Sequence, residues 1–312
     1  MPFRIVRNDI SSMTVDAIVN STHPLGDNIG GVETKLFEVA GDALYQARQS
    51  LGVIQAGDVK YTQAFKLSAN YVFHTVGPTF QGDTNDEHNV LSACYENSLD
   101  LAKRLNLASI AFPLIASGSF KFPKSQALSI AVESIKAFLH ENDLLIYLVV
   151  YDKESYALST ERYESVQSYI NENTVVTLRE QRHHVYRQAQ ISESIADFID
   201  TLEKTFSEAL LERITATGKT DQEIYKKANI DRKLFSKIRS NRHYQPSKNT
   251  AMALGLALEL DLKAFNDLIA KAGYTLSASS KTDLIIQYYI DRKVYDLFEI
   301  NTTLFEFTNR TL

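Results

Sequence analysis

One cysteine, Cys94, is the entire thiol content of this 312-residue chain. A single cysteine excludes an internal disulfide framework and a cysteine-based zinc cluster. The simple expectation is a reducing, cytoplasmic compartment. Long apolar runs are missing too. The best candidate, residues 144–151 (LLIYLVVY), falls far short of the roughly 20 residues that a membrane-spanning helix needs and reads as a buried strand. The N-terminal MPFRIVRND has no hydrophobic core of the kind secretory signals carry. No membrane partner is expected. Net charge is also small, −5 at neutral pH, but it conceals a split. Residues 1–173 carry 13 Lys and Arg against 20 Asp and Glu, whereas residues 174–312 carry 20 against 18. An acidic half and a slightly basic half point to different partners.

With 44% apolar and 23% charged residues the composition is that of a folded chain. At about 100–200 residues per domain, two domains are expected. In the first half, apolar runs at residues 15–20 (VDAIVN), 71–76 (YVFHTV), 109–115 (SIAFPLI) and 144–151 alternate with helical patterns. Continuous apolar runs suit strands covered on both faces. The helical patterns are residues 33–40, ending at Gly41, then 91–105, with Leu91, Tyr95, Leu99, Ala102 and Leu105 on one stripe, and 125–140. The alternation predicts a layered α/β fold over residues 1–173. Residues 174–192 lack periodicity and read as a linker, in which His183 and His184 read as solvated rather than as metal ligands. Residues 193–312 read as an all-α domain, with helices over 195–214, 220–229, 231–240, 247–260, 262–272 and 281–291.

Four segments of the first half carry site chemistry. Asp9, just after the opening strand, can accept a bond from the exocyclic amine of a base, or it can simply cap a turn. Asn20 falls at a strand's C-terminal end, outside which ligands bind in open α/β sheets. Residues 26–32 (GDNIGGV) form a glycine-bearing turn entering a helix, where backbone can approach phosphate. Residues 116–120 (ASGSF) form a second small-residue loop whose N–H groups suit an anion, with Phe120 placed to cover a sugar. Two such loops suggest a pyrophosphate held between them.

The order D-I, VDAIVN, GGV, AG, HTVGP and SIAFPLIASG, then FKFP, resembles the macro domain family over about residues 1–173. The resemblance implies a three-layer α/β/α fold that binds ADP-ribose or a related NAD-derived nucleotide without a cofactor or metal. It implies that Asp9 binds the adenine amine and that Ile10 contributes its backbone. Asn20, Gly30, Gly31 and Val32 would approach the distal ribose and phosphates. Ser117, Gly118 and Ser119 would form the second phosphate loop, with Phe120 in place of the usual Tyr against the ribose. Residues 74–78 (HTVGP) would be structural, lining the sheet end.

The chain departs from the hydrolytic branch of that family. Asn20-Ser21-Thr22-His23 replaces N-A-A-N, Ile29 interrupts the glycine run, Glu33 stands where Asp is usual, and Lys121 replaces a later glycine. Either Asn20, His23 and Glu33 serve an ADP-ribosyl hydrolase, His23 as base and Glu33 as positioning carboxylate, or hydrolysis is lost and binding kept. The changes also leave room for a scaffold that no longer binds nucleotide.

In the second half, Ile224, Ala228, Ile230, Phe235 and Ile238 are spaced to form one small core across a helix, turn and helix. Residues 205–272 resemble the lambda-repressor-like helix-turn-helix group. Residues 226–248 hold eight Lys or Arg and one acid, Asp231. The resemblance makes Arg232, Lys233, Lys237, Arg239 and Arg242 the candidates for phosphate contact with DNA; a solvated basic face that binds protein is the plainer alternative. The aromatic-rich tail either packs this domain or forms a homodimer.

Overall fold

The apolar runs of the first half become the centre of a six-stranded sheet. The computed structural model describes residues 2–27, 30–151, 160–180 and 204–312. The strands are β1 (Phe3–Arg7), β2 (Ala17–Ser21), β3 (Val59–Gln63), β4 (Tyr71–Thr75), β5 (Ser109–Pro113) and β6 (Leu145–Val150), in the order β1-β6-β5-β2-β4-β3. Every neighbouring pair is parallel except β3 with β4. The parallel strands therefore end along one edge. The antiparallel β3 (VKYTQ) mixes polar and apolar residues with partial burial, as an edge strand does, and carries no continuous apolar signal.

Side-chain alternation assigns the layers. Ile18, Val72, Ala111 and Val149 join one core cluster with Leu36, Phe37, Ala40 and Leu44 from helices α1 (Val32–Ala40) and α2 (Asp42–Ser50). Ala17, Val19 and Phe112, one residue out of phase, face the other way, and Phe112 meets Tyr95 of α3 (Asn85–Arg104) with rings 5.3 Å apart. Helix α4 (Lys124–Glu141) lies beside α3. The sheet is thus covered on both faces, an α/β/α arrangement. Helix α3 starts well before residue 91 because Thr84 and Glu87 form a capping box.

The helical unit contains α5 (Thr160–Glu180), α6 (Phe206–Thr217), α7 (Asp221–Lys227), α8 (Arg232–Ser240), α9 (Lys248–Ala257), α10 (Leu262–Ala270), α11 (Lys281–Asp291) and α12 (Leu297–Thr308). Three differences from the sequence expectation have local causes. Residues 160–173 side with the helical unit: Val166 and Ile170 are buried, Ser165 bonds Tyr288 at 2.8 Å, and Tyr169 donates to Asp291 at 2.6 Å. Residues 174–180 continue α5 instead of opening a linker, and residues 181–192, with His183 and His184, lie outside the described residues. A single helix over 195–214 is ruled out because Thr205 is extended (φ −65, ψ 166) and forms a capping box with Glu208 that starts α6; residues 195–203 lie outside the described residues. The aromatic tail packs inward, with Tyr288, Tyr289 and Phe305 buried. Among the described residues no helix is long and apolar enough to cross a membrane.

Candidate functional site

Because β2 and β4 run parallel in register, Asn20 lies directly beside His74. Both sit two residues past Ile18 and Val72, so both face α1 and α2. Thr62 on β3 shares that face, since it pairs with Val72. A strand position that continues an apolar face thus carries three polar side chains in a row, and all three are buried. Their polar atoms must find partners there.

They find them in one another and in the helices. Asn20 Nδ2 lies 3.2 Å from Glu33 Oε1 and 3.2 Å from His74 Nδ1. His74 Nε2 lies 3.0 Å from Thr62 Oγ1. Thr22 Oγ1 donates a short bond to the same Glu33 oxygen and accepts from Arg48 Nε at 3.3 Å. The remaining Arg48 donors bind the carbonyl oxygens of His23 (2.8 Å), Pro24 (3.0 Å) and Gly52 (3.0 Å). Arg48 is fully buried, and burial lowers its pKa while the nearby Glu33 charge raises it. Burial, together with Arg48, pushes the His74 pKa down to about 3, so its ring is neutral at pH 7. An amide nitrogen only donates, so His74 Nδ1 accepts and Nε2 carries the proton. Asn20 Oδ1 is then left buried with no hydrogen-bond partner among the described residues.

The remaining candidates line the same sheet edge. Asp9 follows β1 and caps a 3-10 turn, accepting from Ser11 N (2.9 Å) and Ser11 Oγ (2.7 Å), both on Oδ1. Ile10 is buried beneath. Lys35 on α1 pairs with Glu38 at 3.1 Å, and Tyr151, which follows β6, is 78% exposed. Gly31 is the N-cap of α1 at φ +66, a conformation glycine adopts freely, and it offers no side-chain cap. Gly30 precedes it and Val32 opens the helix; Asn28 and Ile29 lie outside the described residues. The second loop turns sharply, with Ser117 Oγ on Leu114 O (2.8 Å) and Lys121 N on Gly118 O (3.0 Å). Gly118 and Ser119 are exposed. Phe120 approaches His23, ring centroids 6.4 Å apart and inclined by 18°, so the two loops meet. His23 Nδ1 is 3.1 Å from Asp27 Oδ2, an ion-pair separation, but off the line of a hydrogen bond.

Sequence reasoning missed Thr22 and Arg48 and gave His74 only a structural part. A strand-end Thr and a mid-helix Arg carry no pattern of their own; only register and burial reveal them. In the helical unit, Ile224, Ala228, Ile230, Phe235 and Ile238 are all buried across α7, the turn and α8. Of the five basic candidates, Arg239 pairs with Asp221, and Arg242 with Glu208 at 2.8 Å. Arg232, Lys233 and Lys237 are exposed and make no ion pair among the described residues. No cluster of metal-ligating side chains occurs among the described residues.

The sheet, parallel but for β3, places two small-residue loops and a helix N-terminus without a side-chain cap at its C-terminal edge, where open α/β sheets hold ligands. The chain belongs to the macro domain family. The family model named "Macro domain" matches residues 19–131. A macro domain-containing protein of Methanosarcina mazei is 40% identical over 154 residues, covering 49% of this chain and 82% of the relative. An O-acetyl-ADP-ribose deacetylase of Salmonella newport is 39% identical over 158 residues, 49% of this chain and 88% of that one. Among solved structures, an Oceanobacillus iheyensis macrodomain with ADP is 31% identical, with a TM-score of 0.49 over 53% of this chain and 92% of the other.

Proposed function

We propose that the α/β unit binds ADP-ribose or a closely related NAD-derived nucleotide. What supports this is that Asp9, Asn20, the Gly30-Gly31-Val32 helix start and the Ser117-Gly118-Ser119-Phe120 loop all lie at the C-terminal ends of parallel strands, with Phe120 approaching His23. The adenine amine goes to Asp9 beside the Ile10 backbone, the pyrophosphate lies between the two glycine-bearing loops, and the distal ribose reaches Asn20. Calorimetric titration of ADP-ribose into the full chain tests it. Micromolar binding that Asp9→Ala weakens at least tenfold is expected; no binding by the unaltered chain overturns the reading.

A second reading, hydrolysis of a bond to ADP-ribose, draws support from relatives named O-acetyl-ADP-ribose deacetylases and from the exposed-edge pair His23–Asp27. A histidine beside a carboxylate suits general-base work, whereas Glu33 is buried and tied to Thr22 and Asn20, as suits a positioning group. Loss of ADP-ribose or acetate release in His23→Ala, with binding intact, is the expected result. The helical unit is the targeting or readout module in this reading. Arg232, Lys233 and Lys237 are its free basic face toward DNA or an acidic protein, and retardation of duplex DNA that vanishes when all three become alanine is the check.

A further inference from the structure

The sheet of the α/β unit has two edges, and they are guarded differently. At one edge β1 (FRIVR) shows two exposed cations, Arg4 and Arg7. Charges of that kind keep an edge from pairing with another chain. At the other edge lies β3 (VKYTQ), whose one charged side chain, Lys60, is folded back onto the carbonyl oxygens of Leu51 (2.8 Å) and Val53 (3.0 Å). The free backbone groups of β3 can be assigned. Ala64 N donates to Asn70 O, and Asp58 O accepts from Thr75 Oγ1, so the even-numbered residues turn their backbone groups to β4. Neighbouring residues of an antiparallel strand alternate in this respect, so the N–H and C=O groups of Val59, Tyr61 and Gln63 point away from the sheet. Tyr61 is 43% exposed, and its ring continues an aromatic row with Tyr71 (5.5 Å) and Phe73 (6.3 Å).

We propose that β3 is the contact through which two copies of this chain pair, antiparallel and centred on Tyr61. In that register Tyr61 stands opposite its own counterpart and Val59 opposite Gln63, so the outward groups of both strands all find partners. A second copy is selected because the strand complements itself. Asp58 precedes β3 and Lys66 follows it; both are exposed, and neither makes an ion pair among the described residues. Antiparallel pairing brings the acid of each copy toward the base of the other, whereas parallel pairing would set like charge beside like. Lys60 comes opposite Thr62, not opposite a second cation. Tyrosine against tyrosine is a favourable cross-strand pair. The parallel strands of the two copies then run in opposite directions. The two candidate sites therefore open toward opposite ends of one continuous sheet, and neither closes the other.

Sedimentation equilibrium of the full chain is the test. A contact of five residues is small, so monomer and dimer should interconvert with a dissociation constant of about 10–100 µM. Tyr61→Pro deletes the central outward N–H. That group makes no bond to β4, and proline is tolerated at such an edge position, so the fold should survive while the dimer weakens at least about tenfold. Asp58→Lys and Lys66→Glu each set like charges together at both ends of the contact and should weaken the dimer about fivefold. The two changes in one chain exchange the charges and should bring the constant back to within about twofold of the unaltered chain. A chain that stays monomeric up to about 0.5 mM overturns the proposal. A dimer that survives all of these changes is held elsewhere on the surface and overturns it equally. Should Tyr61→Pro fail to fold, the charge exchange decides alone: loss in each single variant with recovery in the double upholds the antiparallel register, and loss without recovery, or no loss, overturns it.

Discussion

The two helices beside the candidate site begin differently from those of the helical unit, although α3 of the same α/β unit is capped by Thr84. From α6 to α11 each first turn is closed by a side chain: Thr205, Thr220, Asp231, Ser247, Asp261 and Ser280. In the α/β unit, α1 and α2 begin at Gly31 and Gly41, with no side-chain cap. Arg48 also differs from the paired cations of the helical unit. The helical unit pairs its cations near the surface, Arg239 with Asp221, Lys227 with Glu259 and Arg242 with Glu208. Arg48 of α2 is buried, makes no ion pair among the described residues, and gives its donors to Thr22 and to three loop carbonyls. The helical unit closes these helix starts with side chains of their own first turns; the α/β unit leaves α1 and α2 open and ties the loops near them with the buried Arg48. Departures from local satisfaction mark the places where a ligand is expected to complete the structure.

The largest way to break that contrast is Arg48→Met. It removes the donors for His23 O, Pro24 O and Gly52 O and the anchor of Thr22. Each buried acceptor left alone costs about 1–3 kcal/mol, so the α/β unit should lose about 3 kcal/mol or more. Hydrogen exchange of the full chain, read separately over β2 and α2 and over α9 and α10, measures it. Arg239→Ala, whose partner Asp221 is at the surface, should cost no more than about 1 kcal/mol in the helical unit. Comparable effects from the two changes would erase the distinction.

What the sequence made legible follows the same line. Apolar runs gave β2, β4, β5 and β6, and the stripe Leu91, Tyr95, Leu99 and Ala102 proved to be the buried face of α3. The core across α7 and α8 was legible because its spacing is local. The two small-residue segments were legible as loops that follow strands. The edge strand β3 and the polar row Asn20, His74 and Thr62 were not, because they exist only through strand pairing. Helix α5 was misjudged because its fate depends on Ser165, Val166, Tyr169 and Ile170 meeting the distant α11, not on its own pattern.

The second prediction sharpens the comparison by pH. Unfolded, His74 takes a proton near pH 6.5; folded, it stays neutral down to about 3. Between those values unfolding takes up a proton, so stability falls as pH falls, by about 1.4 kcal/mol per unit. From pH 6.5 to 5 the α/β unit should lose about 2 kcal/mol by the same hydrogen-exchange measurement, and His74→Asn should remove that slope. A slope that survives the substitution places its origin elsewhere.

The smallest stability effect is expected where space was left for something outside the fold. A Cβ on Gly255 in α9 would lie 2.7 Å from the Phe265 ring carbons Cδ2 and Cε2, so Gly255→Ala forces α9 and α10 apart and should cost about 1–3 kcal/mol. A Cβ on Gly118 meets no atom of the described residues within 4 Å, and Gly118 has no positive φ. Gly118→Ala should therefore leave stability within about 0.5 kcal/mol of the unaltered chain. If the second loop closes on a pyrophosphate, the added methyl lies where phosphate oxygens approach, and ADP-ribose affinity falls although the free protein is undisturbed. Thermal unfolding and calorimetric titration of one preparation separate the two effects. Unchanged affinity would place the phosphates away from Gly118, and a loss of stability equal to that of Gly255→Ala would show that this glycine serves packing, as its counterpart in the helical unit does.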